Sequence, residues 1–168
     1  MKILILFLGM VCYSCNMIGA GTLGGFQEWS FPASRELFDK EISNLYKDNP
    51  QYIIPEKLKY LDSWEESGYG FLDGKIFYFA SVPEELFYVS YWETKHDFLG
   101  DPDRKYTEIA VRTIHSGAGG WKTVDDFKNN KFDKDRINAR FYNEILSKLE
   151  KQLNLKSKKE NYWYEMFE

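Results

Sequence analysis

From Asn16 to its last residue the chain contains no cysteine; both of its cysteines, Cys12 and Cys15, stand near the beginning. A secreted domain that relied on disulfides would not have this pattern. Histidine is scarce as well, with only His96 and His115. A zinc site would need carboxylates to complete it, and neither HExxH nor CxxC occurs. There is no Gly-x-Ser-x-Gly elbow to support a serine hydrolase. Basic residues are in deficit, 22 Lys and Arg against 26 Asp and Glu for a net charge of −4. That balance argues against nucleic-acid binding, which leaves a basic footprint.

What remains has the balance of an ordinary globular chain, 43% apolar and 29% charged. Without a leader it is about 150 residues, enough for one domain to bury a core unaided. The aromatic share is high at 18%, with 13 Phe, 12 Tyr and 5 Trp. Aromatics favour strands and large buried areas, and most are expected in core and sheet surface. In an exported protein they also raise the question of sugar or peptide binding.

Met1-Lys2 is followed by an uninterrupted apolar run from Ile3 to Cys12. Its length suits the h-region of a signal peptide and is short of the roughly 20 residues that span a bilayer. Ser14-Cys15 then resembles the end of the lipobox of small bacterial lipoproteins of unknown function, with Cys12 where such leaders usually carry an aliphatic residue. The resemblance covers residues 1–15. It implies cleavage before Cys15, lipidation of that cysteine and attachment to the cell envelope. The alternative is ordinary cleavage after Ala20, which would give a soluble secreted protein. The confinement of cysteine to the leader favours the lipoprotein. Residues 16–30 then read as a flexible tether, with four glycines and no charge between Asn16 and Gly25. Residues 31–168 read as a single domain.

Within that domain Ser34 is a good N-cap, and Leu37, Phe38, Ile42, Leu45 and Tyr46 recur at helical spacing up to Asn49-Pro50. Pro55 opens a shorter segment of uncertain type through Leu58, Leu61 and Trp64. Phe71 to Phe79 reads as a strand, an Asp73-Gly74 turn and a second strand, with Gly74 at positive φ. Leu86 to Trp92 is a third strand. The last two strands, apolar on both faces, are expected to sit centrally. Tyr106 to His115 is a fourth, with Ile109 and Val111 inward and Glu108 and Arg112 on a wet face. Asp133 is expected to cap a long helix with Ile137, Phe141, Ile145, Leu149 and Leu153 in one stripe. Lys156-Ser157-Lys158-Lys159 reads as the solvated end of that helix. The aromatic tail Asn161–Glu168 is expected to dock back on the domain. The implied fold class is α+β: an antiparallel sheet of about four strands carrying an N-terminal and a long C-terminal helix.

Several constellations have the residue types of a site without its spacing. Ser116-Gly-Ala-Gly-Gly-Trp-Lys122-Thr123 lacks the glycine that a phosphate-binding P-loop places directly before its lysine. Asp97, Asp101 and Asp103 beside Gly100 do not match the calcium-loop pattern, and an acidic solvated loop is the ordinary reading. Glu65-Glu66 and Glu84-Glu85 are carboxylate pairs, but adjacent glutamates in turns are usually hydrated rather than catalytic. No cofactor, no metal and no catalytic residue is therefore assigned. The reading that follows is a non-enzymatic, lipid-anchored envelope protein acting as a protein-binding, accessory or immunity-type domain. Its partners are a membrane, through Cys15, and a protein. Two alternatives stand beside it: a carbohydrate- or peptidoglycan-binding module using exposed aromatics, and a hydrolase built from scattered Asp, Glu and His. Candidate binding residues are Tyr88, Trp92, His115 and Trp121.

Overall fold

The computed structural model describes residues 24–66, 70–72, 74–95 and 105–160. The leader with Cys15, the loop bearing His96 and Asp97–Asp103, Asp73 and the aromatic tail lie outside the described residues. The domain is α+β, with six strands in one sheet rather than about four. Strand β1 is Glu28–Phe31, β2 Lys75–Phe79, β3 Glu85–Lys95, β4 Lys105–Ser116, β5 Trp121–Thr123 and β6 Lys158–Lys159. All pairings are antiparallel, in the order β2-β3-β4-β1-β6, and β5 pairs the far end of β4. The additional strands are four residues or shorter, too brief for alternation to reveal them. β1 and the buried Phe26 fall largely inside the stretch read as a tether, so the ordered chain starts before residue 31.

Helix α1, Arg35–Asp48, begins as its sequence dictates: the Ser34 hydroxyl accepts from the Leu37 N–H. Phe38, Ile42 and Leu45 are buried, whereas Leu37 is 42% exposed and lies off the inner stripe. The C-terminal helical run is α2, Lys131–Phe141, a π-helical turn Tyr142–Leu146, and α3, Ser147–Leu153. Asn130, not Asp133, is its N-cap; the Asn130 side chain accepts from the Asp133 N–H, which puts Asp133 inside the first turn. Ile137, Phe141, Ile145 and Leu149 form the expected buried stripe. The widened π turn adds Leu146 to it by shifting the face part of a turn. Asn154 ends the run in the left-handed conformation. Lys158 and Lys159 are therefore not a helix end: they pair with Ser30 and Trp29 as β6.

The helices pack on one face of the sheet. Phe77 and Phe79 of β2, Phe87, Val89 and Tyr91 of β3, and Ile109, Val111 and Ile114 of β4 meet the α1 and α2–α3 stripes in the main core. Phe77 meets Phe141 edge-on at 6.4 Å, and Phe38 meets Tyr91 at 5.4 Å. β2 and β3 are covered on both faces, but β2 is an edge strand, not a central one. Among the described residues, the strand expected before Gly74 does not form. Gly70–Leu72 is a 3-10 turn, Gly74 is not at positive φ, and β2 pairs onward with β3. Gly74 is needed for a different reason: a Cβ there would stand 2.3 Å from Tyr88 Cζ.

Candidate functional site

The second face of the sheet carries the site. Ile76, Leu86 and Tyr88 are its buried centre, and the segment between α1 and β2 folds over them with Ile54, Leu58, Leu61, Trp64 and Leu72. This segment is a succession of 3-10 turns, Pro50–Tyr52 and Glu56–Leu61 among them. Short turns of this kind carry no sustained periodicity, so the sequence places Trp64 in a segment of uncertain type and does not mark it as a site residue. It is nevertheless the residue that assembles the group. Its ring stacks on Tyr88 at 4.1 Å and meets Trp121 edge-on at 4.9 Å, and Trp121 in turn meets His115 at 5.6 Å. Three of the four candidate binding residues, Tyr88, His115 and Trp121, thus share one cluster. Tyr88 is 2% exposed and does not present a free ring face. His115 loses solvation at the end of β4, which lowers its pKa and favours the neutral imidazole.

Trp92 lies farther along the same face, in a different setting. Between Tyr88 and Val89 the β3–β4 register shifts: Tyr88 faces Thr113 while Val89 faces Val111, leaving Arg112 as the extra residue of a bulge. The Arg112 guanidinium lies 4.6 Å over the Trp92 ring, donates to Ser90 Oγ at 2.7 Å and pairs with Glu28 at 3.4 Å. Thr94 donates to Glu108 at 3.1 Å. Glu28 and Glu108 are each only 8% exposed, so the face of β4 expected to be wet is instead a sheltered polar network. Burial, aided by the Glu108 charge and opposed by Arg112, holds the Glu28 carboxyl above its usual range.

Beside Trp64 opens a cleft of about 590 Å³. Its apolar lining is Tyr46, Ile53, Ile54, Trp64, Ile76 and Tyr88, and its charged lining is Asp62, Glu65, Glu66 and Lys75. Tyr46 donates to the Ile76 carbonyl at 2.8 Å, and burial pushes its hydroxyl pKa upward, so it remains a neutral phenol. Partial desolvation and then the neighbouring Glu65 charge raise the Asp62 carboxyl, while Lys75 pulls the other way. Gly74 belongs to the wall, and its missing side chain is what lets Tyr88 stand there.

The other constellations resolve as scaffolding. Glu85 is 1% exposed and accepts from Arg136 at 2.7 and 3.0 Å and from Arg140 at 2.7 Å. Arg140 also donates to the Pro83 carbonyl at 2.6 Å and to Ser81, and lies over the Phe79 ring. This pins the β2–β3 connection to α2, with both oxygens of the carboxylate engaged. Gly117 and Gly120 take positive φ in the turn before β5, from which Trp121 packs back onto Trp64. Among the described residues, no three His, Cys, Asp or Glu gather as a metal site, and no helix is long and apolar enough to cross a membrane.

Fold and site together define an α+β domain whose second sheet face carries an aromatic cluster and an acid-rimmed cleft. No family model, curated protein or solved structure matches this chain.

Proposed function

We propose that this is a non-enzymatic binding domain held at the cell envelope by a lipid on Cys15, and that it recognises a protein partner through the cleft beside Trp64. The cleft carries this reading. Its volume, about 590 Å³, is of the size used to seat ligands or inserted side chains, and its lining combines apolar walls with a few converging charged groups. A sugar platform is less well supported, because Trp64 covers one face of Tyr88 and the Arg112 guanidinium covers one face of Trp92. Stacking on a sugar needs an accessible ring face, and Tyr88 is only 2% exposed.

The test is site-specific crosslinking in cells that make the full chain. A photo-reactive residue replaces Ile53, which is exposed and lines the cleft, or Phe132, which is exposed on α2. The expected result is a discrete protein adduct from position 53 that is absent from position 132. The same pattern from both positions, or no adduct from 53, removes the cleft as a partner site.

A further inference from the structure

We propose that the cleft receives a basic side chain, lysine or arginine, from an extended segment of the partner. The inference rests on the partner-binding reading above and specifies its chemistry. A long cationic side chain has two parts, an apolar stem and a charged head, and each needs a different surface. The cleft supplies both. Ile53 and Ile54 offer aliphatic surface for the stem, and Trp64, held by its stack on Tyr88, completes the apolar wall. Asp62, Glu65 and Glu66 stand around it as acceptors.

Charge complementarity sets the sign of the occupant. The described lining has three carboxylates against one ammonium, Lys75. Asp62 already feels that imbalance, since Glu65 adds to desolvation in disfavouring its charged form. An entering cation would relieve it, whereas an anion would add repulsion to a partly desolvated site. Among the described residues the acids have no ion pair like those of Glu85 with Arg136 and Arg140. Glu65 and Glu66 are exposed, which suits them to meet an incoming partner.

The experiment titrates the full chain, held in detergent, with three short peptides: alternating lysine and alanine, the same peptide acetylated on every lysine, and alternating glutamate and alanine. Binding is read by calorimetry and by tryptophan emission, since Trp64 lines the cleft. The lysine peptide is expected to bind, and acetylation to weaken it by about tenfold or more, because it removes the charge that the carboxylates attract. The double variant Glu65→Gln, Glu66→Gln is expected to lose about tenfold for the lysine peptide at low salt and less at high salt. Both side chains are exposed, and a melting curve checks that the variant folds; Asp62→Asn serves if it does not. Equal binding of the acetylated peptide, or an unchanged variant, overturns the proposal. An Ile53 adduct in cells without lysine-peptide binding leaves the partner reading standing and sinks the cationic one. Lysine-peptide binding without an adduct shows that the cleft accepts a cation but sinks the partner reading, and with it the proposal that a partner's side chain fills the cleft.

Discussion

Gly74 shows how one residue ties the fold to the site. Its Cα faces Tyr88 so closely that a methyl group would fall 2.3 to 2.5 Å from two ring carbons and the phenol oxygen. A flexible surface ring would swing aside, but Tyr88 is buried and clamped by Trp64 at 4.1 Å. Gly74→Ala is therefore expected to destabilise the domain by about 1–3 kcal/mol, the usual range for overpacking, and to alter the near-ultraviolet circular dichroism of the Trp64–Tyr88 stack. An unchanged urea midpoint and spectrum would mean that Tyr88 has somewhere else to go. Glu150 is the second residue with a determinate role. Its carboxylate accepts from Lys156 Nζ at 2.8 Å and from the N–H and hydroxyl of Ser157 at 3.0 and 2.8 Å. Burial alone would raise its pKa, but these hydrogen bonds together outweigh it and hold the carboxyl below its usual range. A carboxylate whose folded pKa is depressed contributes stability that is fully present above the unfolded carboxylate range and is lost as pH falls through the lower, folded value. Glu150→Gln is accordingly expected to cost about 1–2 kcal/mol at neutral pH, with the gap to the parent closing in acid. A gap that stays constant down to pH 3 would assign the effect to packing instead.

Among the elements, legibility follows period and length. β3, β4 and the C-terminal helix were readable because each repeats its pattern over ten residues or more. The strand period of two separates Phe77 and Phe79 from Ile76 and Tyr78, and the structure puts the two sets in different cores. Failures came where local chemistry was ambiguous. Asp-Gly is a hairpin signature, but here the glycine serves close approach rather than left-handed φ. A run of lysines gives no hint of a strand, and β6 exists because the Glu150 anchor turns the chain back beside β1. The wet-face expectation for β4 failed because Glu28, its charge partner, sits on a strand that sequence did not reveal. In the site, Tyr88, His115 and Trp121 were named from sequence, but Trp64, which joins them, lies on turns without a period. The helix prediction is the sharpest at this scale. Phe141 is fully buried against Phe77, so Phe141→Ala is expected to cost about 3–5 kcal/mol in a urea melt. Phe132, nine residues away on the same run, is 79% exposed, and Phe132→Ala is expected to stay within about 0.5 kcal/mol of the parent. Similar costs at both positions would contradict the packing of α2 on the sheet.

For the whole molecule, the proposed reading separates two jobs: an N-terminal lipid that fixes location, and a domain that fixes recognition. The two are joined by a short glycine-bearing stretch, and the domain has its own core of apolar residues from every major element. Nothing in that core depends on the cysteines, which both precede Asn16. Location and recognition should therefore come apart under mutation. Acyl chains contribute about 0.8 kcal/mol per buried methylene, and stable anchoring needs more than one such signal. Cys15→Ala removes the acceptor for all of them. The variant is expected to take up no labelled palmitate and to leave the membrane fraction, while keeping the parent's melting temperature. It should also keep the parent's affinity for the lysine peptide, because the cleft residues begin at Tyr46. If the parent itself takes up no label, or the variant stays with the membrane, the lipid reading fails and cleavage after Ala20 becomes the better account. If the variant is released but loses its melting transition, the leader region belongs to the fold, and the division of labour proposed for this chain is wrong.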